Sequence, residues 1–292
     1  MLSNVQLSCF LLSYLAALGF EIFATLRKST AARWAAIGLT VAGLIAHTAY
    51  LAIRSREANL PPLLSSTQDW VLVLAWLTVF LYLAIIALDR NLPLGLFLLP
   101  VVLALIAIAL VFKTDPHSMI ADLALRRWIM LHASALAIGT GGVLHGFVLS
   151  IMYLIQHRRL REKMGTSPKI PLPNLEKLAT WNWWSVVVAV PLLTIGLLAG
   201  VILGRLSKSE SFSFSDPVVI AHAVVWLVMA ALFFRLLKRR EASGKAVAWQ
   251  TIWAFGFLIA TMVGLELLTG DGKLDSFHSQ RSIQQHSSGD RV

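Results

Sequence analysis

Residues 70–88 read Trp-Val-Leu-Val-Leu-Ala-Trp-Leu-Thr-Val-Phe-Leu-Tyr-Leu-Ala-Ile-Ile-Ala-Leu, an almost wholly apolar run without one charged side chain. A helix of about 20 such residues crosses the roughly 30 Å hydrocarbon core of a bilayer. Over the whole chain 57% of residues are apolar and 14% are charged, whereas a soluble domain carries about 25% charged residues. The sequence therefore predicts an all-α polytopic membrane helix bundle and excludes a soluble fold.

Runs of this kind recur along the 292 residues and predict about eight transmembrane helices. The predicted spans lie near 5–26, 34–53, 70–88, 94–112, 128–155, 183–203, 218–237 and 247–268. They form a single transmembrane domain over residues 1–269, because the segments between them are too short for a separate soluble domain. Residues 270–292 are rich in Ser, Gln and Gly, and we expect them to form an outward, mobile polar tail.

The distribution of basic residues predicts the orientation. The loops after spans 1, 3, 5 and 7 hold 15 of the 25 lysines and arginines. By the positive-inside rule these loops face the cytoplasm and both termini face outward. The net charge of +10 is therefore interpreted as membrane topology. No nucleic-acid partner is predicted, because no stacking aromatics interleave with the basic loops.

Several chemistries are excluded by the motifs that the sequence lacks. Cys9 is the only cysteine, so the chain has no Cys-x-x-Cys redox pair and no Cys-x-x-Cys-His heme attachment site. His-Glu-x-x-His, Gly-x-Ser-x-Gly and Walker motifs are also missing. The sequence therefore favours neither a zinc hydrolase, nor a serine hydrolase, nor a nucleotide-driven enzyme.

Ionisable side chains inside predicted spans cost a few kcal/mol to insert, so each invites a functional interpretation. The candidates are Glu21, His47, His145, His222 and Glu266. Hydrogen-bonded structural roles remain the alternative for the histidines, and snorkelling or a helix–helix hydrogen bond for the two glutamates.

Four histidines are predicted to share the outer third of the bundle: His47, His132, His222 and His278. Neutral imidazoles on separate helices suit axial ligation of an iron porphyrin. His145 lies about 20 Å deeper than His132, at 1.5 Å per residue.

Several segments resemble the CcsA-type cytochrome c assembly proteins, which handle heme at the outer face of bacterial and plastid membranes. Pro-Pro-Leu-Leu-Ser-Ser-Thr-Gln-Asp-Trp at 61–70 is similar to the entry of an early span of that family, and Gly95 to Pro100 is similar to the next. Val-Pro-Leu-Leu-Thr-Ile-Gly-Leu-Leu-Ala-Gly at 190–200 resembles the span that leads into the family's heme-handling loop. Trp128 to His132 resembles its Trp-x-x-x-His segment, and Phe277-His278-Ser279 its Leu-His-Ser ending.

The resemblance implies heme b as cofactor, with His132 and His278 as the axial ligands of its iron. The family's tryptophan-rich heme loop is reduced here to Phe-Ser-Phe-Ser-Asp-Pro at 212–217, so Phe212, Phe214 and Asp216 are expected to form the edge of the site. Phenylalanine stacks on a porphyrin face but lacks the indole N–H donor. His222 and His47 complete the set of candidate heme-binding residues.

The expected function is to present heme at the outer face of the bacterial cytoplasmic membrane for attachment to apocytochrome c. The resemblance also implies a second assembly subunit with a large external domain, so this chain is expected to be a non-catalytic subunit. Shorter eight-span relatives with a weakened tryptophan motif include regulators of heme synthesis, so a membrane regulator or scaffold acting through the basic loops 156–182 and 235–246 is the alternative. A transporter of heme or a small solute, using His145 as a deeper way-station, is a further alternative.

Overall fold

The structure is a computed structural model that describes residues 7–58, 61–89, 93–111, 123–162, 172–206, 217–238 and 244–270. Within these ranges every regular element is a helix. The elements are α1 (Leu7–Arg27), α2 (Thr30–Ala58), the single turn α3 (Pro62–Ser65), α4 (Thr67–Leu88), α5 (Gly95–Val111), α6 (Leu123–Arg161), α7 (Leu175–Leu206), α8 (Pro217–Lys238) and α9 (Gly244–Gly270).

The prediction of an all-α membrane bundle is confirmed. Among the described residues, α1, α2, α4, α6 and α7 are long and apolar enough to cross a membrane, and α5 and part of α8 are shorter apolar helices. The chain is thus a multi-pass membrane protein. Each of the eight predicted spans overlaps a different one of the described helices. The predicted tail begins where α9 ends, and its remaining residues lie outside the described ranges.

The most extensive helix–helix interface joins α6 to α7, which run antiparallel. Leu193 of α7 fills a notch at Gly139 of α6, and Leu136 of α6 fills a notch at Gly196 of α7. A Cβ added at either glycine would lie within 2.8 Å of the opposing leucine side chain. Gly142 faces Ala189 in the same seam. Lipid provides no hydrophobic drive for helix association, so small residues that let backbones approach closely are what hold such a pair together.

The other helices are arranged around this pair. The α1–α2 hairpin packs on α5 and α4, α4 packs on α6, α9 lies against α6, and α8 contacts α9 and α7. Side-chain hydrogen bonds reinforce these contacts: Trp76 Nε1 donates to Thr48 Oγ1 at 2.8 Å between α4 and α2, and Trp226 Nε1 donates to Thr194 Oγ1 at 2.7 Å between α8 and α7. Interhelical hydrogen bonds of this kind contribute about 0.6 kcal/mol each in membrane proteins.

Candidate functional site

His132 projects from α6 onto α7, near the end of the bundle that the charge distribution predicts to face outward. Its Nδ1 lies 2.7 Å from the Gly196 carbonyl oxygen. A carbonyl only accepts hydrogen bonds, so Nδ1 carries the proton and Nε2 carries the lone pair. A backbone carbonyl that fixes the imidazole in this way is the usual partner of a metal-ligating histidine.

A second glycine of α7 makes room for the same ring. A Cβ at Gly200 would lie 2.7 Å from His132 Cε1 and 2.9 Å from Nδ1. Because Gly196 and Gly200 are four residues apart on one face of α7, one supplies the hydrogen-bond acceptor and the other the space. Together they form a cradle that sets the position of the His132 imidazole, which is half-buried.

His47 is fully buried between α2 and α1. Its ring stacks parallel on Phe10 with centroids 4.1 Å apart, and its Nδ1 lies 3.4 Å from the Tyr14 hydroxyl. Its Nε2 is buried and has no hydrogen-bond partner among the described residues. The ring is therefore held from one side, with one polar atom unsatisfied.

The structure does not place His47 and His132 on directly packed helices. His47 belongs to the α1–α2 hairpin, which packs on α4 and α5, whereas His132 belongs to the α6–α7 pair. Helix α4 packs against both groups. The predicted convergence of four histidines at one depth stays a prediction, because the His222 side chain and the whole of His278 lie outside the part of the chain that the structure describes.

The candidate edge of the site also falls outside the described residues. Phe212, Phe214 and Asp216 precede α8, which begins at Pro217. Glu266 lies in the described backbone of α9, but its side chain is likewise outside the description. Among the described residues, no three His, Cys, Asp or Glu side chains are grouped so that they could hold a metal ion.

His145 lies deeper in α6 and is buried, so it does not face lipid. Its Nδ1 donates to the Gly141 carbonyl one turn earlier, at 2.9 Å. The ring lies beside Thr78 of α4. Along α6 it is far from His132 and therefore from the Gly196–Gly200 cradle. Its burial leaves the way-station alternative open.

Glu21 occupies the opposite end of the bundle from His47. It is buried, and the Tyr82 hydroxyl of α4 donates a 3.1 Å hydrogen bond to its Oε1. A Cβ at Gly95, the first residue of α5, would lie 2.5 Å from Glu21 Oε1 and 2.5 Å from the Tyr82 hydroxyl oxygen. Of the two roles considered for Glu21, the structure therefore shows the helix–helix hydrogen bond, since a buried carboxyl group does not snorkel.

Sequence reasoning missed a buried ion pair where α2 ends and α4 begins. Arg54 Nε lies 2.6 Å from Asp69 Oδ1, and the Asp69 side chain is fully buried. The Ser66 hydroxyl caps the start of α4 by accepting from the Asp69 backbone N–H at 3.1 Å. A carboxylate in the first turn of an apolar helix was the available signal. The glycine cradle of His132 was also missed, because its acceptor is 64 residues away in sequence.

The histidine geometry can be compared with what is known of similar proteins. A family model described as "Cytochrome C assembly protein" matches residues 64–270. That range includes α4 to α9 with His132, His145 and His222, and it leaves α1, α2, His47 and His278 outside.

Individual relatives are similar over much of their length. Protein HemX of Bacillus subtilis (strain 168) is 26% identical over 232 residues, which are 79% of this chain and 81% of HemX. Cytochrome c biogenesis protein CcsA of Chlamydomonas reinhardtii is 29% identical over 219 residues, 72% of this chain and 59% of that protein. Protein HemX of Brevibacillus brevis is 22% identical over 154 residues, 53% of this chain and 56% of that protein. The chain thus spans under two thirds of the latter two relatives.

Proposed function

Because the chain belongs to the cytochrome c assembly protein family, we propose that it acts in cytochrome c biogenesis by binding or presenting heme b at the outer face of the membrane for attachment to apocytochrome c. The HemX and CcsA relatives include several proteins named for cytochrome c biogenesis. A membrane bundle with histidines on separate helices is a suitable scaffold for this task.

The hydrogen bond from His132 Nδ1 to the Gly196 carbonyl is the observation that carries the proposal. It orients the ring and makes Nε2 the nitrogen whose lone pair would bind iron. His132 therefore fits one axial position of heme. The resemblance assigns the other position to His278, with His222 and His47 as the remaining candidates. Bound heme supplies the group that is transferred to apocytochrome c, and the residues of this chain hold and orient it.

The edge of the site is assigned to Phe212, Phe214 and Asp216, where the two phenyl rings would cover a porphyrin face. Attachment itself is assigned to a second assembly subunit with a large external domain, so this chain is a non-catalytic member of the pair. The location is the bacterial cytoplasmic membrane, with both termini outward.

The test is the visible absorption spectrum of the reduced, detergent-purified protein. We expect a Soret and an alpha band in the wild type, weakened in His132→Ala and in His278→Ala and lost in the double variant. His157→Ala is the matched control, since His157 lies on the same helix as His132 but at its opposite end. Absence of heme from the wild type after heme is supplied during expression would overturn the proposal, and bands lost equally in His157→Ala would remove the assignment to His132.

A second candidate is a non-catalytic regulator or scaffold of heme biosynthesis, and the match to 81% of the length of Bacillus subtilis HemX favours it. In that case the outer histidines are dispensable and the basic cytoplasmic segments are not. Cytochrome c levels in cells carrying His132→Ala, compared with cells in which Arg158, Arg159 and Arg161 are replaced by Gln, separate the two functions. The first proposal expects the histidine variant to be defective, and the second expects the arginine variant to be.

A further inference from the structure

Basic side chains from three helices meet at one corner of the bundle, where α6 and α8 end and α9 begins. The α9 helix packs against both α6 and α8. The Tyr153 hydroxyl of α6 lies 2.6 Å from the position of a Cβ at Gly244, so the start of α9 is level with Tyr153. The cations of this basic corner are Arg158, Arg159 and Arg161 of α6, Arg235 and Lys238 of α8, and Lys245 of α9.

Acidic side chains offset only part of this charge. Glu162, which directly follows α6, pairs with Arg158 at 2.7 Å. The described final turns of α6 and α8 and the first turn of α9 contain no further acidic residue. On the neighbouring α7, Glu176 is exposed and Lys177 forms an ion pair with Asp89. The corner therefore keeps a strong positive excess.

Five of these six cations are exposed to the surroundings: Arg158, Arg161, Arg235, Lys238 and Lys245. The arginines of α6 extend about 8 to 12 Å beyond the level of Gly244, at 1.5 Å per residue. The basic groups thus occupy a layer comparable in depth to the headgroup region, which adds roughly 5 to 7 Å to each side of the hydrocarbon core.

Large aromatic side chains lie directly below this charge, toward the middle of the helices. On α9, Lys245, Trp249 and Trp253 follow one another at intervals of four residues and so share one face. Trp249 is 47% exposed and Trp253 is 70% exposed. On α8, Phe234 is 68% exposed beside Arg235. A cationic layer followed by an exposed apolar surface matches the order of phosphate and acyl chain in a phospholipid.

We propose that the basic corner is a binding site for an anionic phospholipid, whose phosphate group is held by the ends of α6, α8 and α9 and whose acyl chains lie along Trp249 and Trp253. Basic pockets between transmembrane helices bind anionic headgroups in this way. An acidic protein segment fits less well, because it would use the charges and leave the aromatic stripe on α9 without a role. The site is independent of heme binding and of His132.

The test measures the affinity of the full-length, delipidated protein in detergent for phosphatidylglycerol, with phosphatidylcholine of the same acyl chains and inorganic phosphate as comparisons. We expect phosphatidylglycerol to bind and to raise the apparent Tm, and the other two compounds to have little effect. Each cation near a membrane surface contributes about fivefold in affinity for anionic lipid. The triple variant R235Q/K238Q/K245Q is expected to bind roughly a hundredfold more weakly, by the same factor per cation.

The matched control is R126Q/R127Q, which removes two exposed arginines from the opposite end of α6 and should bind the lipid as the wild type does. Trp253→Ala should weaken binding of phosphatidylglycerol, and inorganic phosphate should still have little effect on this variant. Native mass spectrometry of the single variant K245Q provides a second reading if the triple variant is poorly folded. Equal affinity for the two lipids, equal loss in the control, or an equal response to inorganic phosphate would each overturn the proposal.

Discussion

Replacement of Gly200 by alanine tests the cradle that positions His132. The new methyl carbon would lie 2.7 Å from His132 Cε1. The ring would have to retreat by about 0.8 Å to restore the roughly 3.5 Å separation of carbon atoms in contact. That movement stretches the 2.7 Å bond to Gly196 to about 3.5 Å, beyond the usual limit for a hydrogen bond.

Three contributions set the size of the effect. Loss of the hydrogen bond from His132 costs about 0.5 to 1.5 kcal/mol, because the Gly196 carbonyl still accepts the helical bond within α7. Steric overpacking costs about 1 to 3 kcal/mol when the neighbouring side chains can move only part of the way. Alanine returns up to about 1 kcal/mol relative to glycine within a helix. We therefore expect the free energy of unfolding to fall by about 1 to 3 kcal/mol, after allowing for partial relaxation of the ring.

The assay is reversible unfolding in mixed micelles, with Gly38→Ala as the matched control. A Cβ at Gly38 has no heavy atom within 4 Å, so this variant should unfold as the wild type does or gain up to about 1 kcal/mol. Combining Gly200→Ala with His132→Ala completes a double-mutant cycle. Once the ring is absent, the alanine at 200 should no longer destabilise the protein.

Two results would refute the reasoning. One is an unfolding free energy for Gly200→Ala equal to that of Gly38→Ala, which would mean that the ring is not held against α7. The other is an undiminished cost of Gly200→Ala in the His132→Ala background, which would place the clash elsewhere. In a protein that binds heme, the heme content of Gly200→Ala, read from the Soret band, should fall together with its stability.

Two further predictions concern buried polar pairs. Replacing Arg54 by Met removes the ion-pair partner of the buried Asp69 carboxylate and should lower the free energy of unfolding by about 3 kcal/mol. Arg158→Gln breaks an exposed pair and should change it by less than about 1 kcal/mol. Equal costs in thermal or denaturant unfolding would contradict the assigned burial. Tyr82→Phe removes the hydroxyl that donates to Glu21 and should lower the free energy of unfolding by about 1 to 3 kcal/mol. In the same unfolding assay, the double variant Tyr82→Phe/Glu21→Leu should recover most of this loss.

Hydropathy was sufficient for the architecture and insufficient for the contacts. Apolar runs of about 20 residues leave few alternatives to membrane helices, because the bilayer requires every backbone group to be hydrogen-bonded within its own segment. Hydropathy does not mark where a helix ends, however. The span predicted at 128–155 is part of the 39-residue helix α6, which continues through its terminal arginines, and the span at 183–203 begins within the 32-residue α7, which starts before Trp181.

The candidate site was predictable only one residue at a time. His47 was identified because ionisable groups are costly in a membrane, and His132 by its predicted depth and the family resemblance. Nothing in their own segments specifies which helix they face. The partners that the structure provides, Tyr14 for His47 and Gly196 for His132, lie 33 and 64 positions away in sequence. Glycines such as Gly196 and Gly200 carry no polar side chain, so their importance is visible only when the opposing helix is in place.

The notched seam between α6 and α7 also restricts how the protein can move. A slide of one helical turn, about 5.4 Å, would carry Leu193 from its notch at Gly139 onto Leu136 in one direction or Val143 in the other, with no space for a second bulky side chain. Axial sliding is therefore blocked, and the two helices move as a rigid unit. His132 therefore keeps a constant position relative to α7, and helices that change their arrangement must pivot around this fixed pair.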